Sequence, residues 1–280
     1  MIDTGGQFPS GGSVRPKWES VGTILEQVAP VLPGFTVEIL AQIDSSNSEL
    51  MRRAKAGQTA PILLVAEHQT AGRGRLGRTW FDAGAGLKSP DLMFSLGLEL
   101  APGDWSGLSL AVGIGIAQSL HPQLRLKWPN DLWINGRKLA GILIETAPLA
   151  AQPGRYLVIG VGVNILPRDG TGLATPPAGL AELLPGVGAS AALGHIALPL
   201  VAAVKQFEQS GFAPFQRRFN ELDALAGQEV TVSGSNPVSG TAQGVDAMGS
   251  LLLQSTAGVV KISSSEVSVR PGGPLTASAT

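Results

Sequence analysis

The dipeptide Asn135-Gly136, set between two short apolar runs, constrains the fold more than any other feature of this chain. Residues 132–134 precede it and residues 138–146 follow it, and Asn-Gly in such a setting is typical of the tight turn of a β-hairpin. A third apolar run, over residues 156–163, predicts a further strand. The middle of the chain is therefore predicted to form a sheet that contains a hairpin.

Strand and helix patterns alternate over the rest of the first 225 residues. A short first helix is predicted from apolar residues at helical spacing, namely Val21, Ile24, Leu25 and Val28. Further strands are predicted over residues 36–43, 61–67, 91–100 and 125–128. Further helices are predicted over residues 49–56, 105–120, 195–211 and 212–225. Residues 166–193 carry Pro, Gly and Ala without a clean period, which predicts a long loop with a short helix within it.

The character of the sequence changes after Gly227. Short strands broken by Gly and Ser are predicted over residues 229–233, 239–245, 250–254, 259–262 and 267–269, and this spacing predicts a small β-barrel. Residues 1–16, rich in Gly, Ser and Pro, are predicted to be mobile. The predicted parts of the chain are a flexible extension with a short helix (1–34), a main domain (35–225), a small β domain (226–272) and a tail (273–280).

Charge and composition exclude several classes of protein. The formal net charge is −1, so the whole molecule lacks the positive field that attracts DNA or an anionic membrane. The chain has no cysteine, which excludes disulfides and thiolate metal sites and suits a reducing cytoplasm. No stretch approaches the ~20 apolar residues of a membrane span, and the N-terminus lacks the apolar run of a secretory signal. A cytoplasmic protein is expected.

The segment from Gly72 to Arg78 carries three arginines among three glycines. Arg73, Arg75 and Arg78 would repel one another, and the loop would gain order by wrapping an anion. Arginine donates forked hydrogen bonds that suit phosphate, and glycine lets backbone N–H groups approach it. The segment is therefore a candidate anion-binding loop, although a solvated basic loop explains the spacing equally well. It is neither a P-loop nor a dinucleotide fingerprint, because the helix onset is missing.

A second candidate is the run from Lys127 to Asp131. Pro129 lacks an N–H, so a strand is predicted to end here. Lys127 lies at the end of that strand in an apolar stretch, and a buried ammonium needs an anionic partner. Lys127 is thus a candidate for contacting a carboxylate or phosphate. A snorkelling surface lysine, and an Asx turn at Asn130, are the alternatives.

Glycines interrupt two other apolar strands, Gly141 in one and Gly160 and Gly162 in the other. Such glycines mark either the close approach of a flat ligand or tight sheet packing. Asn164 ends the second strand, where it would read a base edge or cap a turn. Trp80 would stack on a purine or pack in the core. The histidines are scattered and no Ser/His/Asp set can be argued, so the predicted chemistry is positioning and charge stabilisation.

Five segments, in this order, strongly resemble the motifs of the biotin protein ligases: DSSN (44–47), EHQTAGRGRLGRTW (67–80), KWPND (127–131), KLAGILIE (138–145) and GVGVN (160–164). The likeness covers about residues 36–270. It implies an α/β (α+β) fold, with a mixed-sheet catalytic domain of the biotin/lipoate ligase type over 35–225 and an SH3-like β-barrel over 226–272. It also implies a monofunctional enzyme, because the segment before the catalytic domain is too short and too rich in Gly and Pro for a DNA-binding domain.

The resemblance also implies roles for individual residues. Biotin would be bound by Ser45, Ser46, Asn47, Gln69, Gly72, Arg73, Lys127, Gly141, Gly160 and Gly162. ATP and the adenylate would be bound by Arg73, Arg75, Arg78, Trp80, Lys127, Asn130 and Asn164. The catalytic residues would be Lys127, Arg73 and Arg75. The arginine loop (residues 72–78) would close over the adenylate, and Lys127 would bridge the biotin carboxylate and the phosphate.

The implied reaction activates biotin with ATP as biotinyl-5′-AMP and transfers biotin to the biotin carboxyl carrier protein of acetyl-CoA carboxylase. Mg²⁺ is expected with ATP, its protein ligands are not assigned, and the protein is expected to be a monomer or homodimer without DNA or membrane partners. A lipoate or octanoate ligase is the nearest alternative, and the arginine loop with the C-terminal barrel favours biotin. A biotin-responsive repressor lacks support because no recognition helix is predicted. A peptide-binding module over residues 228–270 would leave the arginine loop unexplained.

Overall fold

The computed structural model of the chain describes residues 18–80, 91–149, 154–170, 175–233, 237–263 and 268–271. These residues form a large sheet of seven strands and a small sheet of five. The predicted mobile segment 1–16 and the predicted tail 273–280 lie outside the described residues.

The large sheet is mixed, as expected. Its strands are β1 (Thr36–Leu40), β2 (Ile62–Ala66), β3 (Leu92–Leu100), β4 (Arg125–Lys127), β5 (Asp131–Ile134), β6 (Arg137–Pro148) and β7 (Arg155–Val163), in the order β1-β2-β3-β7-β6-β5-β4. Only β1 and β2 pair in parallel among these described strands. The β5–β6 hairpin turns at Asn135 and Gly136, whose φ angles of 46° and 75° are the positive values that a type I′ turn requires.

Within the described residues the α-helices are α1 (Ser20–Val28), α2 (Ser46–Lys55), α3 (Leu108–Leu120), α4 (Ala189–Ser210) and α5 (Gln216–Leu222). Helices α3 and α4 pack on each other and, with α1, contribute to the main hydrophobic core on one face of the large sheet. Helix α2 lies on the opposite face, where Leu50 packs with Leu64, Tyr156 and Val158 in a smaller core. The large sheet is therefore covered on both faces.

The period-two alternation of the strands separates these two faces. In β7, Leu157, Ile159 and Val161 belong to the main core. Gly160 and Gly162 alternate with them and so lie on the face that carries α2. A row of glycines instead of bulky side chains leaves room on that face beside α2.

Helix α4 is, among the described helices, the one whose length and apolar character would allow it to cross a membrane. Half of its most apolar window is buried inside the protein, and it supplies Ile196, Leu200 and Phe207 to the main core. It begins at Ala189 rather than at residue 195, because Ala192 and Leu193 already face the core. The predicted long loop is correspondingly shorter, and the helix within it is a 3₁₀ turn, Leu180–Glu182.

The small sheet consists of β8 (Glu229–Ser233), β9 (Val238–Val245), β10 (Leu251–Ser255), β11 (Gly258–Ile262) and β12 (Ser268–Pro271). They pair antiparallel in the order β11-β10-β9-β8-β12, which confirms the predicted SH3-like C-terminal unit. The unit contacts the rest of the protein: the buried indole of Trp128 donates to the carbonyl of Gly249 at 3.0 Å.

Candidate active site

A cavity of about 150 Å³ opens beside the N-terminus of α2, on the face of the large sheet that carries the glycines. Its walls come from the start of α2, the loop over residues 69–80, the start of β5, and the strands β6 and β7. The predicted site residues that line it are Ser45, Ser46, Asn47, Gln69, Arg73, Arg75, Arg78, Trp80, Asn130, Gly141, Gly160 and Gly162. Segments far apart in sequence thus converge on one site.

The wall formed by α2 presents fixed polar groups. Ser45 caps the helix with its hydroxyl oxygen, which accepts a backbone N–H of the first turn at 3.4 Å. Ser46 and Asn47 follow and are 4% and 3% exposed. The hydroxyl of Ser46 donates to Gln69 Oε1 at 3.0 Å, and the amide of Asn47 donates to Glu145 Oε2 at 2.8 Å. Buried side chains held in this way present their remaining donors and acceptors in defined directions.

The floor of the cavity requires glycine. A Cβ atom on Gly160 would lie 2.2 Å from Asn47 Oδ1, and one on Gly162 would lie 2.4 Å from the Trp80 ring. Gly141 pairs directly with Gly162 across β6 and β7, and its Cβ would lie 3.1 Å from the same ring. The buried indole N–H of Trp80 has no hydrogen-bond partner among the described residues. Leaving a buried donor without a partner costs about 1–3 kcal/mol. This N–H is therefore available to a ligand that offers an acceptor.

The arginine loop (residues 72–78) is closed at its base by backbone hydrogen bonds, one of which comes from Trp80. The N–H of Trp80 donates to the carbonyl of Gly72 at 2.9 Å, and the N–H of Gly74 donates to the carbonyl of Arg78 at 2.7 Å. A Cβ on Gly72 would lie 2.7 Å from the Trp80 carbonyl oxygen, so Gly72 shapes the base of the loop and does not line the cavity. At the tip, Leu76 takes the left-handed conformation at φ 57°.

The loop carries its positive charge over the cavity. Arg73 donates to Glu145 Oε2 at 2.6 Å. Arg75 is half-buried, and this burial lowers the pKa of its guanidinium, against which the nearby carboxylate of Asp131 acts. A partly desolvated guanidinium binds an anion more strongly than one in water, because the local dielectric constant is lower.

Lys138 adds a further positive charge to the cavity lining. Its ammonium lies 2.7 Å from Asp131 Oδ1 and 5.6 Å from the centre of the Trp80 ring. The position depends on a β-bulge: Trp133 of β5 pairs with Lys138, and Leu132 pairs with Ala140, so Leu139 is an extra residue. The bulge brings Lys138 to the same face as Gly141.

Comparison with known proteins places these features in one family. Residues 40–164 match the biotin/lipoate A/B protein ligase family, and residues 226–270 match the biotin protein ligase C terminal domain. The bifunctional ligase/repressor BirA of Escherichia coli strain K12 is 35% identical over an alignment of 251 residues that covers 84% of this chain and 74% of that protein. The biotin–[acetyl-CoA-carboxylase] ligase of Paracoccus denitrificans is 31% identical and is matched over 98% of its length by 82% of this chain.

The chain belongs to the biotin protein ligase family. It is therefore a ligase, with the mixed-sheet fold and C-terminal unit of that family. Among solved structures, the biotin protein ligase from Aquifex aeolicus in complex with biotin and ATP is similar, with a TM-score of 0.71 and 26% identity over 85% of this chain and 99% of that one.

In this ligase Lys127 lines a small pocket that adjoins the cavity and shares Asn130, Asp131 and Ile142 with it. Lys127, Asp131, Gly141 and Gly162 are successive partners across four strands, so Lys127 lies on the expected face but at the edge strand. Its ammonium lies 5.3 Å from the centre of the Trp133 ring, and burial lowers its pKa. Asp131 stands between it and the glycine floor. Lys138 lines the cavity beside Asp131 as well, and the bridging role expected of Lys127 stays a prediction.

Among the described residues, Asn164 also does not line the cavity. Its amide nitrogen donates to the carbonyls of Lys138 and Ala178, both at 3.1 Å, and its Oδ1 accepts from Arg168 at 2.6 Å. It is 2% exposed. In this arrangement Asn164 secures the end of β7 to neighbouring segments, which is the turn-capping alternative of the sequence analysis.

Four residues at the site had no role expected from the sequence, namely Asp131, Lys138, Glu145 and Ser95. Ser95 Oγ lies within hydrogen-bond distance of Ser46 Oγ (2.7 Å) and Asn47 Oδ1 (2.6 Å), so it supports the polar wall from β3. Lys138 and Glu145 are the two ends of the segment KLAGILIE, whose motif character was a usable signal. For Ser95, whose immediate neighbours in β3 are apolar, the sequence offered none.

Proposed function

We propose that this ligase activates biotin with ATP as biotinyl-5′-AMP and transfers biotin to a specific lysine of the biotin carboxyl carrier protein of acetyl-CoA carboxylase. The observation that carries the proposal is the cavity itself: a glycine floor, a buried polar wall and a lid of arginines with Lys138 beside it. The name of the relative in Paracoccus denitrificans, a biotin–[acetyl-CoA-carboxylase] ligase, supports it.

In the first step, a carboxylate oxygen of biotin attacks the α-phosphorus of ATP and pyrophosphate leaves. The negative charge that develops on the phosphoryl oxygens needs preorganised positive partners. Arg73, Arg75 and Lys127 would meet this need, with Lys127 bridging the carboxylate and the phosphate and Lys138 adding a further positive charge beside the cavity. The wall of Ser46, Asn47 and Gln69 would hold the polar ring of biotin in line for the attack.

In the second step, the amine of the acceptor lysine attacks the acyl carbon, AMP leaves, and the amine loses its proton as the amide forms. The mixed anhydride survives until then because the arginine loop excludes water. The adenine would pack against Trp80, whose ring forms one side of the cavity. Arg78 and Asn130 would bind the nucleotide from the loop and the start of β5.

Mg²⁺ is expected to enter with ATP and to share the charge of the departing pyrophosphate. Within the described ranges no group of three or more His, Asp or Glu side chains converges on one point. The protein therefore offers no complete ligand set there, and the ion would depend mainly on the phosphates. The roles given for the two steps belong to side chains of the protein and not to the ion.

We further propose that the enzyme works in the cytoplasm, as a monomer or homodimer, and without binding DNA. The net charge of −1 and the lack of cysteine support this view. The organisation proposed is the catalytic domain over 35–225 followed by the SH3-like domain over 226–272. An operator-binding assay and the mass in solution test these assignments.

The nearest alternative substrate is lipoate or octanoate, because the matched family model includes lipoate ligases. The matched C-terminal domain of biotin protein ligases favours biotin. The test is incubation with ATP, Mg²⁺ and each acid in turn, followed by mass spectrometry of the bound fraction. We expect a biotinyl-adenylate mass with biotin and none with lipoate or octanoate. An adenylate formed only with lipoate or octanoate would contradict the proposal.

A further inference from the structure

Ser95 lies behind the polar wall of the cavity, on strand β3. It is 0% exposed, and it is not one of the described residues that line the cavity. Its hydroxyl oxygen lies 2.7 Å from Ser46 Oγ and 2.6 Å from Asn47 Oδ1, and both of those residues do line the cavity. Across β3 and β7 it pairs with Gly160 of the glycine floor. Ser95 therefore contacts the wall from within the sheet and can affect a ligand only through its neighbours.

The neighbouring groups fix which of these atoms donate and which accept. The amide nitrogen of Asn47 donates to Glu145 Oε2 at 2.8 Å, so its Oδ1 atom faces Ser95 as an acceptor. The Ser46 hydroxyl donates to Gln69 Oε1 at 3.0 Å. Since a hydroxyl has one proton, Ser46 meets Ser95 as an acceptor. The Ser95 hydroxyl is therefore the donor to the wall, and its proton is shared between Ser46 and Asn47.

The wall has more acceptor capacity than protons. Two serine hydroxyls supply the protons for three contacts between oxygens, which are Ser46 with Gln69, Ser95 with Ser46 and Ser95 with Asn47. The Asn47 oxygen also lies directly on the floor, because a Cβ atom on Gly160 would be 2.2 Å from it. Oxygens with spare lone pairs at this place suit a ligand that donates hydrogen bonds to them.

We propose that Ser95 is a positioning and specificity-determining residue, which holds the oxygens of Ser46 and Asn47 so that the cavity selects an acid whose ring carries N–H donors. A cyclic urea, as in biotin, has two such N–H groups. The dithiolane ring of lipoate and the alkyl chain of octanoate have none. The inference rests on the proposed function and adds to it the side chain that makes the wall favour biotin over these two acids.

Calorimetric titration of the whole protein with biotin tests the role of Ser95. In S95A one buried oxygen is removed, so Asn47 Oδ1 loses its donor and the wall is no longer held from β3. We expect the Kd for biotin to rise about threefold to tenfold, the size of one lost hydrogen bond, while the KM for ATP changes less than about twofold. The matched control is S119A, whose hydroxyl donates to the Ile116 carbonyl at 2.9 Å within α3. It should keep the Kd of the wild type.

Biotin analogues methylated at one or the other ureido nitrogen separate positioning from a general loosening of the site. Methylation removes an N–H donor, and the penalty is the ratio of the Kd of the analogue to the Kd of biotin. Because S95A has already lost the defined direction of the acceptors, we expect this penalty to be about threefold or more smaller in S95A than in the wild type for at least one analogue. A loosened site would raise all the Kd values by the same factor and leave the penalty unchanged.

Three results would overturn the proposal. They are a Kd for biotin in S95A within about twofold of wild type, an equal rise of the Kd in S119A, and the same methylation penalty in S95A and the wild type. Failure of the proposed function looks different, because the wild type would then form no biotinyl-adenylate from biotin, ATP and Mg²⁺. A wild type that forms the adenylate, together with any of the three results, contradicts only the role of Ser95.

Discussion

Two lysines lie beside the same carboxylate at the scale of single residues. Lys138 and Lys127 lie on either side of Asp131, the first at 2.7 Å from its carboxylate and the second paired with it across β4 and β5. Lys138 lines the cavity beside Trp80, whereas Lys127 lies over Trp133 at the sheet edge. An ammonium can stabilise the transition state only where it reaches the reacting atoms, and both ammonium groups lie beside Asp131 at this end of the cavity.

Replacing each lysine by methionine, which keeps a similar length without the charge, tests the role of each. We expect K138M to lower biotin-dependent pyrophosphate release by about a hundredfold or more, because a preorganised charge at the transition state is lost. K127M should lower it at least as far, because the ammonium that is predicted to bridge the carboxylate and the phosphate is lost. Pyrophosphate release by K127M within about fivefold of wild type would contradict the role of Lys127.

The sequence identified the segment that contains each lysine but not the direction of its side chain. Lys127 was chosen because it ends a strand, and the strand pairing then placed it two strands from Gly141. Lys138 reaches the cavity face only because Leu139 is bulged out of the β5–β6 pairing. A bulge leaves no distinct pattern in a single sequence, since it depends on the pairing of two strands.

At the scale of secondary-structure elements, the arginine loop and the glycine floor form the two opposite surfaces of the site. The loop could be predicted as a candidate from its composition, because three arginines and three glycines in seven residues suit an anion, although a solvated basic loop explained the spacing equally well. The floor could be predicted from glycines within strands. The long apolar helix α4 was predicted too short, because its alanine-rich start resembles the preceding loop.

Removing one arginine from the loop should let more of the adenylate intermediate escape from the site. We expect R75A to release at least about tenfold more free biotinyl-adenylate than wild type, because the half-buried guanidinium no longer holds the phosphate. Released adenylate is measured by mass spectrometry of the filtrate, together with labelling of lysines on an unrelated protein. Wild-type levels of both would show that Arg75 does not retain the intermediate.

Filling the floor should weaken biotin binding. In G160A the added methyl would lie 2.2 Å from Asn47 Oδ1, so the amide that faces the ligand must move. We expect the KM for biotin to rise about tenfold or more, with a smaller effect on the KM for ATP. The control G22A lies on α1 with no atom within 4 Å, and it should keep its KM and gain up to about 1 kcal/mol in stability. Equal KM values for biotin in the two variants would contradict this role of the floor.

At the scale of the whole molecule, the small sheet and the catalytic domain share one continuous core. Val230, Val232, Leu251 and Leu253 of the small sheet belong to the same hydrophobic cluster as the large sheet's main face. The sequence predicted the two units but not this continuity, because side chains such as Trp128 bridge them only after both have folded.

Asp223 is buried at the junction of α5 and the small sheet, and burial raises its pKa to about 6, against a hydrogen bond from the Leu225 N–H. In the unfolded chain the same carboxyl titrates near its ordinary value of 3.8. Between these values the folded state binds more protons, so the free energy of unfolding falls as pH rises through this window. Two pKa units correspond to at most about 3 kcal/mol.

The variant D223N removes this titration while keeping an oxygen for the Leu225 N–H. From pH 4 to pH 7, we expect the free energy of unfolding of the wild type to fall by about 1–3 kcal/mol relative to D223N, as measured by denaturant titration. Parallel pH profiles for the two proteins would show that Asp223 is not buried in its charged form at neutral pH.

The central claim is that the cavity under the arginine loop joins the biotin carboxylate to the α-phosphorus of ATP. The most direct measurement uses biotin with both carboxylate oxygens labelled with ¹⁸O, in a complete reaction with ATP and the acceptor. Attack by the carboxylate leaves one labelled oxygen as the bridge to phosphorus, and this oxygen departs with AMP. We predict that the AMP carries one ¹⁸O atom and that the pyrophosphate carries none. AMP without label would contradict an acyl-adenylate intermediate.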